Sequence, residues 1–288
     1  MSKIKDEIED QKAFRDKELG ASEPKDYLYA DENKKHLHSF KGKPLLGTST
    51  VVGVIAKPLT WWASGLACSV LGWINKGNAK KGWTPKALRL ESASEMQLKI
   101  SHMEGDEYLN LLDEAYKAHS VKLDTSASAG TDLHAELERY VKNTMANRMA
   151  EYDLKIMPFI RWCDENVEKF LWSELHCFSE TLWLGGISDC AVKLKDGKIG
   201  IIDFKSAKES YDSHFIQIAG YDLQISENGG YTAEGVKMFQ LEKPIEFYAV
   251  IPFGADEFTV DYRYNVEELK QGFRSALCLY KLLNKLKN

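Results

Sequence analysis

The stretch GGISDCAVKLKDGKIGIIDFKSAK contains three residues of the types that metal-assisted hydrolysis needs: Asp189, Asp203 and Lys205. Two carboxylates converging at a sheet edge hold a hard cation such as Mg2+, which prefers oxygen ligands. The backbone carbonyl of Phe204 can complete such a site, because a strand fixes its neighbours. Asp203 and Lys205 are two apart, so both leave the same face of a strand. A lysine beside a metal-bound water orients that water and stabilises its deprotonated form. Taken alone, Asp-x-Lys also fits a surface ion pair.

Four further residues could join them. His134 lies beside an apolar helical stripe and could point at a packed sheet, although a lone helical histidine is more often structural. Glu174, on the strand before, could be a further acid near the metals or simply an exposed one. Gln217 and Tyr221 are four apart and share a helix face; packing alone would also explain them.

A hairpin must position the aspartates. Residues 187–194 and 199–205 alternate as strands around Asp196-Gly197, a strong turn signal. A two-residue loop would set Cys190 against Asp203 and turn Asp189 away. A three-residue loop, Asp196-Gly197-Lys198 with a glycine bulge, puts Ala191 opposite Asp203 and brings Asp189, Asp203 and Lys205 to one face. An odd-length connection, or a compensating bulge, is therefore expected. Residues 171–178, 247–252 and 258–264 read as strands, and 36–44 as a small hairpin turning at Lys-Gly. Helices are expected at 60–74, 107–119, 130–145, 214–225 and 266–286. The clearest is 130–145, where Leu133, Leu137, Val141 and Met145 recur every fourth residue. Helices, then a mixed sheet, then helices make an α/β fold with a helical N-terminal annex. The expected division is a charged tail at 1–32 (mobile, or an exposed helix), a basic annex at 33–120 and a core at 121–288.

The 288 residues carry a net charge of −5, unevenly spread. Between Asn33 and Leu90 there is no Asp or Glu, yet nine lysines and Arg89 are present. A positive field concentrated within an acidic chain is the footprint of a phosphate-tracking surface. Trp61, Trp62, Trp73 and Trp83 are interleaved with these cations and could stack on unpaired bases or lie in a core. Residues 58–75 are uncharged, but two glycines and several polar groups favour a buried or hinged helix over a membrane span. The five cysteines form no C-x-x-C pair, and no signal or transit pattern opens the chain. A soluble intracellular protein with no membrane partner is expected.

In this order, GTDLHAELE (130–138), Glu174, GGISD (185–189), IIDFKS (201–206) and Gln217-x-x-x-Tyr221 resemble the RecB-like branch of the PD-(D/E)xK nucleases. The likeness is closest to phage and bacterial single-domain exonucleases and the mitochondrial genome maintenance exonuclease. It also takes in GTSTVVGVIAKPLTWWASGLA (47–67). The resemblance implies a restriction-endonuclease-like core, a mixed central sheet flanked by helices. It implies one or two Mg2+ or Mn2+ ions on His134, Asp189, Asp203 and the Phe204 carbonyl, with Lys205 positioning water and Glu174 as accessory acid. Gln217 and Tyr221 would steady the substrate backbone; Ser206, Lys57, Trp61 and Trp62 are further candidates for DNA contacts. The N-terminal helices would form an arch over the site. Some relatives carry a four-cysteine iron–sulfur cluster; the cysteines here are in other places, so no cluster is expected. The implied activity is exonucleolytic hydrolysis of DNA with a free end, single- or double-stranded, in recombination, repair or end processing. A structure-specific or restriction-like endonuclease and an inactive DNA-binding protein are the alternatives. A single-strand annealing or binding protein is a candidate partner. The cytoplasm of a bacterium, or of a phage host, is the expected location.

Overall fold

A computed structural model describes residues 26–32, 35–56, 60–74, 84–254 and 257–285. They fall into two compact units: Met1–Ala56 with Asp132–Asn288, and Lys57–Thr131. The strands are β1 (Tyr27–Glu32), β2 (Lys35–Phe40), β3 (Lys43–Pro44), β4 (Leu46–Gly47), β5 (Val167–Ser179), β6 (Leu184–Leu194), β7 (Ile199–Lys205), β8 (Gly230–Tyr231), β9 (Lys237–Phe239), β10 (Phe247–Pro252) and β11 (Asp261–Arg263). The helices are α1 (Thr48–Val52), α2 (Thr60–Val70), α3 (Lys86–Ser101), α4 (Gly105–Met145), α5 (Met157–Asn166), α6 (Asp212–Asn228) and α7 (Val266–Lys285).

The first unit is mixed α/β. Its eight-stranded sheet runs β11-β10-β7-β6-β5-β8-β9, with β4 also beside β6. The β10–β7 and β4–β6 pairs are parallel and the others antiparallel. Alternation along the central strands fills both faces. Ala191, Ile201, Tyr248 and Val250 pack with Phe215, Ile218 and Phe273 of α6 and α7. Their neighbours Cys190, Val192, Ile202 and Ile251 pack with Leu137, Val141 and Phe159 of α4 and α5. Each such apolar side chain contributes about 1.5–3 kcal/mol by leaving water. Coverage on both faces explains why β7 and β10 read as nearly continuous apolar runs.

A second, three-stranded sheet, β1-β2-β3, turns at Lys41-Gly42, both with positive φ, as the Lys-Gly signal predicts. Tyr27, Phe40 and Leu45 join Phe178 and Tyr231 in its core. Residues 27–32, expected in the tail, are thus a strand, held in register against Lys35–Phe40. Residues 35–56 belong with the sheet unit and not with the annex.

The described part of 57–131 is helical. α2 stops at Val70, short of the expected Ile74, because Gly72 takes a φ of +84°. A Cβ there would meet Met96 at 2.5 Å. The two helices expected at 107–119 and 130–145 are one 41-residue helix, α4, which the division between the units crosses. Its middle, SVKLDTSASAG, contains no proline to stop it, and alanine is the best helix former. No helix among the described residues is long and apolar enough to cross a membrane.

Candidate metal centre

The centre lies where β6 and β7 part. Leu194 N–H donates to the Lys198 carbonyl at 2.8 Å, so the hairpin loop is Lys195-Asp196-Gly197, with Gly197 at φ +92°. The connection is three residues long as expected, but starts one residue earlier. The reason is the glycine: the left-handed conformation falls on the last loop position, which Gly197 must occupy. Pairing then runs Lys193–Ile199 to Cys190–Ile202. One more step sets Asp189 across from Asp203, two positions from the expected partner and with the side-chain parity unchanged.

That step is where the backbone ladder ends. The Asp189 carboxylate accepts the Phe204 N–H at 2.7 Å. β7 covers this edge of β6 at Cys190–Lys193 and β4 covers it at Leu184 and Gly185, leaving 186–189 open. N–H and C=O of one residue leave a strand on the same side. The Phe204 carbonyl therefore faces the open edge beside Asp189.

Glu174 reaches the same level from β5. Ser173 pairs Cys190 and Leu175 pairs Ser188, so Glu174 lies opposite Asp189. Side-chain alternation breaks here: Trp172 and Leu175, three apart, enter the same apolar cluster, and Glu174 between them has a φ of +50°. A positive φ at glutamate is costly, and such strain concentrates at functional sites. From α4, His134 Nε2 donates to Glu174 Oε1 at 3.1 Å and lies 3.7 Å from Asp189. Among the described residues, ligand atoms of His134, Glu174 and Asp189 lie within 4.8 Å of one another. Asp203, expected as a ligand, is not one of these three; it lies on the adjoining strand, 2.7 Å from Lys205 Nζ. Glu174, expected as an accessory acid, sits with the ligands.

Lys205 Nζ also donates to Gln217 Oε1 at 3.3 Å, and Gln217 Nε2 donates to the Tyr221 hydroxyl at 2.6 Å. The spacing of these two residues on α6 thus builds a relay that holds the lysine. Tyr221 itself is seated against Gly186, where a Cβ would meet its ring at 2.6 Å and Thr48 Oγ1 at 2.8 Å. Thr48 Oγ1 donates to the Gly185 carbonyl and accepts from Gln224 Nε2 at 2.7 Å. Thr48 and Gln224 were not readable as support for the site, because their partners are 137 and 176 residues away.

The electrostatics are those of crowded, buried carboxylates. Burial pushes the Asp203 carboxyl up to about 6; Lys205 opposes the rise and Asp189 adds to it. Asp189 is raised too, by burial first, against the pull of His134 and Lys205. Burial works against charge on His134, but the Glu174 hydrogen bond and the Asp189 charge outweigh it and hold the imidazole at about 9. Lys205 is likewise raised, the Asp203 and Asp189 charges overcoming its burial. The negative potential is strong enough to keep two cationic side chains charged. Asp203 Oδ2 is buried, with the Lys205 ammonium 2.7 Å away. An oxygen-rich donor set with one imidazole fits a cation of the Mg2+ or Mn2+ kind.

Ser206 is exposed on the connection after β7. Trp62 and Trp73, in the second unit, are 38% and 42% exposed, as stacking requires and a core does not. Lys57 and the Trp61 side chain lie outside the described residues, as do Lys34, Lys76, Lys80, Lys81 and Trp83. Lys41, from the acid-free segment, is 3.8 Å from both Asp26 and Glu180. No protein-family model matches the chain, and comparison with curated proteins finds no match.

Proposed function

We propose that this chain is a metal-dependent deoxyribonuclease acting on DNA ends, in recombination, repair or end processing. The observation that carries the reading is the alignment of Glu174, Asp189 and Asp203 on three adjacent strands, with Lys205 held by Asp203 and Gln217. His134, Glu174, Asp189 and the Phe204 carbonyl would hold one or two divalent cations, with Asp203 Oδ2 available beside them. Such an ion supplies a polarised phosphate and a water of lowered pKa. Lys205 Nζ, fixed on two sides, orients the attacking water with its remaining N–H. Tyr221, kept protonated by burial, fixes Gln217 and through it the lysine. DNA as the substrate and the preference for ends rest on the order of the motifs, their likeness to RecB-like exonucleases, and the acid-free segment with its exposed tryptophans.

The test is digestion of end-labelled linear DNA, single- and double-stranded, beside closed circles, in Mg2+, Mn2+ or EDTA. Metal-dependent loss of linear DNA, absent in Lys205→Ala and sparing circles, is the expected result. Cut circles would replace the exonuclease by an endonuclease. DNA bound but never cut would leave a binding protein and refute the enzymatic reading.

A further inference from the structure

His214 stands on α6 three residues before Gln217 and seven before Tyr221, the spacing of one helical stripe. Gln217 fixes the direction of that stripe, because its amide oxygen accepts from Lys205 Nζ. The imidazole is held in place. Tyr211 N–H donates to Nδ1 at 3.2 Å, and the Tyr211 ring packs edge-on at 5.2 Å between centroids. With Nδ1 accepting, the proton sits on Nε2. His214 is half-buried and Nε2 has no partner among the described residues, so an oriented donor is left over. Burial and the nearby Lys205 charge lower its basicity, which keeps the ring neutral, and Asp203 lies within electrostatic reach.

We propose that His214 is a substrate-contacting residue of this centre, its Nε2–H donating to a backbone phosphate oxygen of the DNA next to Lys205. The assignment rests on the nuclease reading above and adds to it the group that fixes the phosphate on the α6 side. No covalent step is involved.

Three variants test it: His214→Ala, His214→Gln, which keeps a donor near the Nε2 position, and His214→Phe, which keeps the packing. kcat and KM on linear DNA in Mn2+ and the thermal midpoint would be measured for each. Loss of one hydrogen bond to a charged oxygen predicts a fall in kcat/KM of about tenfold to a hundredfold for Ala and Phe. His214→Gln should stay within about threefold of wild type, with no change in midpoint. Phe matching wild type, or Gln falling as far as Ala, overturns the contact. A wild-type protein that cuts nothing refutes the nuclease reading separately. Anisotropy of a labelled oligonucleotide then decides: weaker binding by His214→Ala keeps the phosphate contact, and equal or absent binding overturns it.

Discussion

Replacing Asp203 by asparagine should stabilise the metal-free protein while abolishing turnover. The Asp203 carboxyl is buried, and its value stands at about 6 against an ordinary 3.8. A carboxyl raised on folding favours the folded state while protonated, so its contribution is complete below pH 3.8 and is lost as pH climbs to about 6. At 1.36 kcal/mol per pH unit that loss comes to about 3 kcal/mol. The raised value already contains the attraction of Lys205, which the asparagine gives up. Asparagine resembles the protonated acid in shape and charge, so Asp203→Asn escapes the loss. Urea unfolding in EDTA would show the variant more stable by about 3 kcal/mol near pH 7.5, with the difference shrinking towards zero near pH 4. Equal or lower stability of the variant near pH 7.5 would refute the reasoning, since the Asp203–Lys205 pair would then outweigh burial. A site residue whose removal stabilises the protein marks a function for which stability is given up.

Two further outcomes follow from buried charge elsewhere. Burial, each other's proximity and His36 hold His38 at about 4, and burial holds His176 near the same value. Both stay neutral when folded but take up a proton near pH 6.5 when unfolded, so stability falls as pH drops from 6.5 towards 4. The slope is up to about 2.7 kcal/mol per pH unit for the pair; urea midpoints at several pH values should show it, and His176→Phe should halve it. Asp222 is fully buried, with Lys270 Nζ at 3.0 Å and hydrogen bonds from Tyr248 and Ser226. Lys270→Met strands that carboxylate and should cost about 3–5 kcal/mol, read from urea unfolding near pH 7.5; a loss under about 1 kcal/mol would contradict it.

Elements whose signal is local were legible in the sequence. β7 and β10 occupy the ranges their apolar runs predict, and α7 is helical from its expected start at Val266 through Lys285, the last described residue. The odd-length hairpin loop was legible from parity, but its position was not, because alternation does not say which residue takes the positive φ. Elements made by distant partners were missed. β1 depends on pairing with β2, and β4 is a two-residue strand on the edge of β6. The strand expected at 258–264 is confined to Asp261–Arg263, where β10 pairs with it. Of the site, the five motif residues His134, Glu174, Asp189, Asp203 and Lys205 do come together. The sequence carried no mark of the left-handed turn at Glu174, which places it with the ligands, or of His214, whose meaning depends on where Gln217 points.

Binding of Mn2+ itself tests the central claim most directly. Paramagnetic resonance or calorimetric titration would be run on the wild-type chain, Asp189→Asn and Glu174→Gln, with unfolding curves confirming that each is folded. One or two bound ions in wild type, and affinity weakened about tenfold or more in each folded variant, is the predicted result. Absence of binding, or equal affinity in all three, would contradict the assignment of these residues as a metal centre.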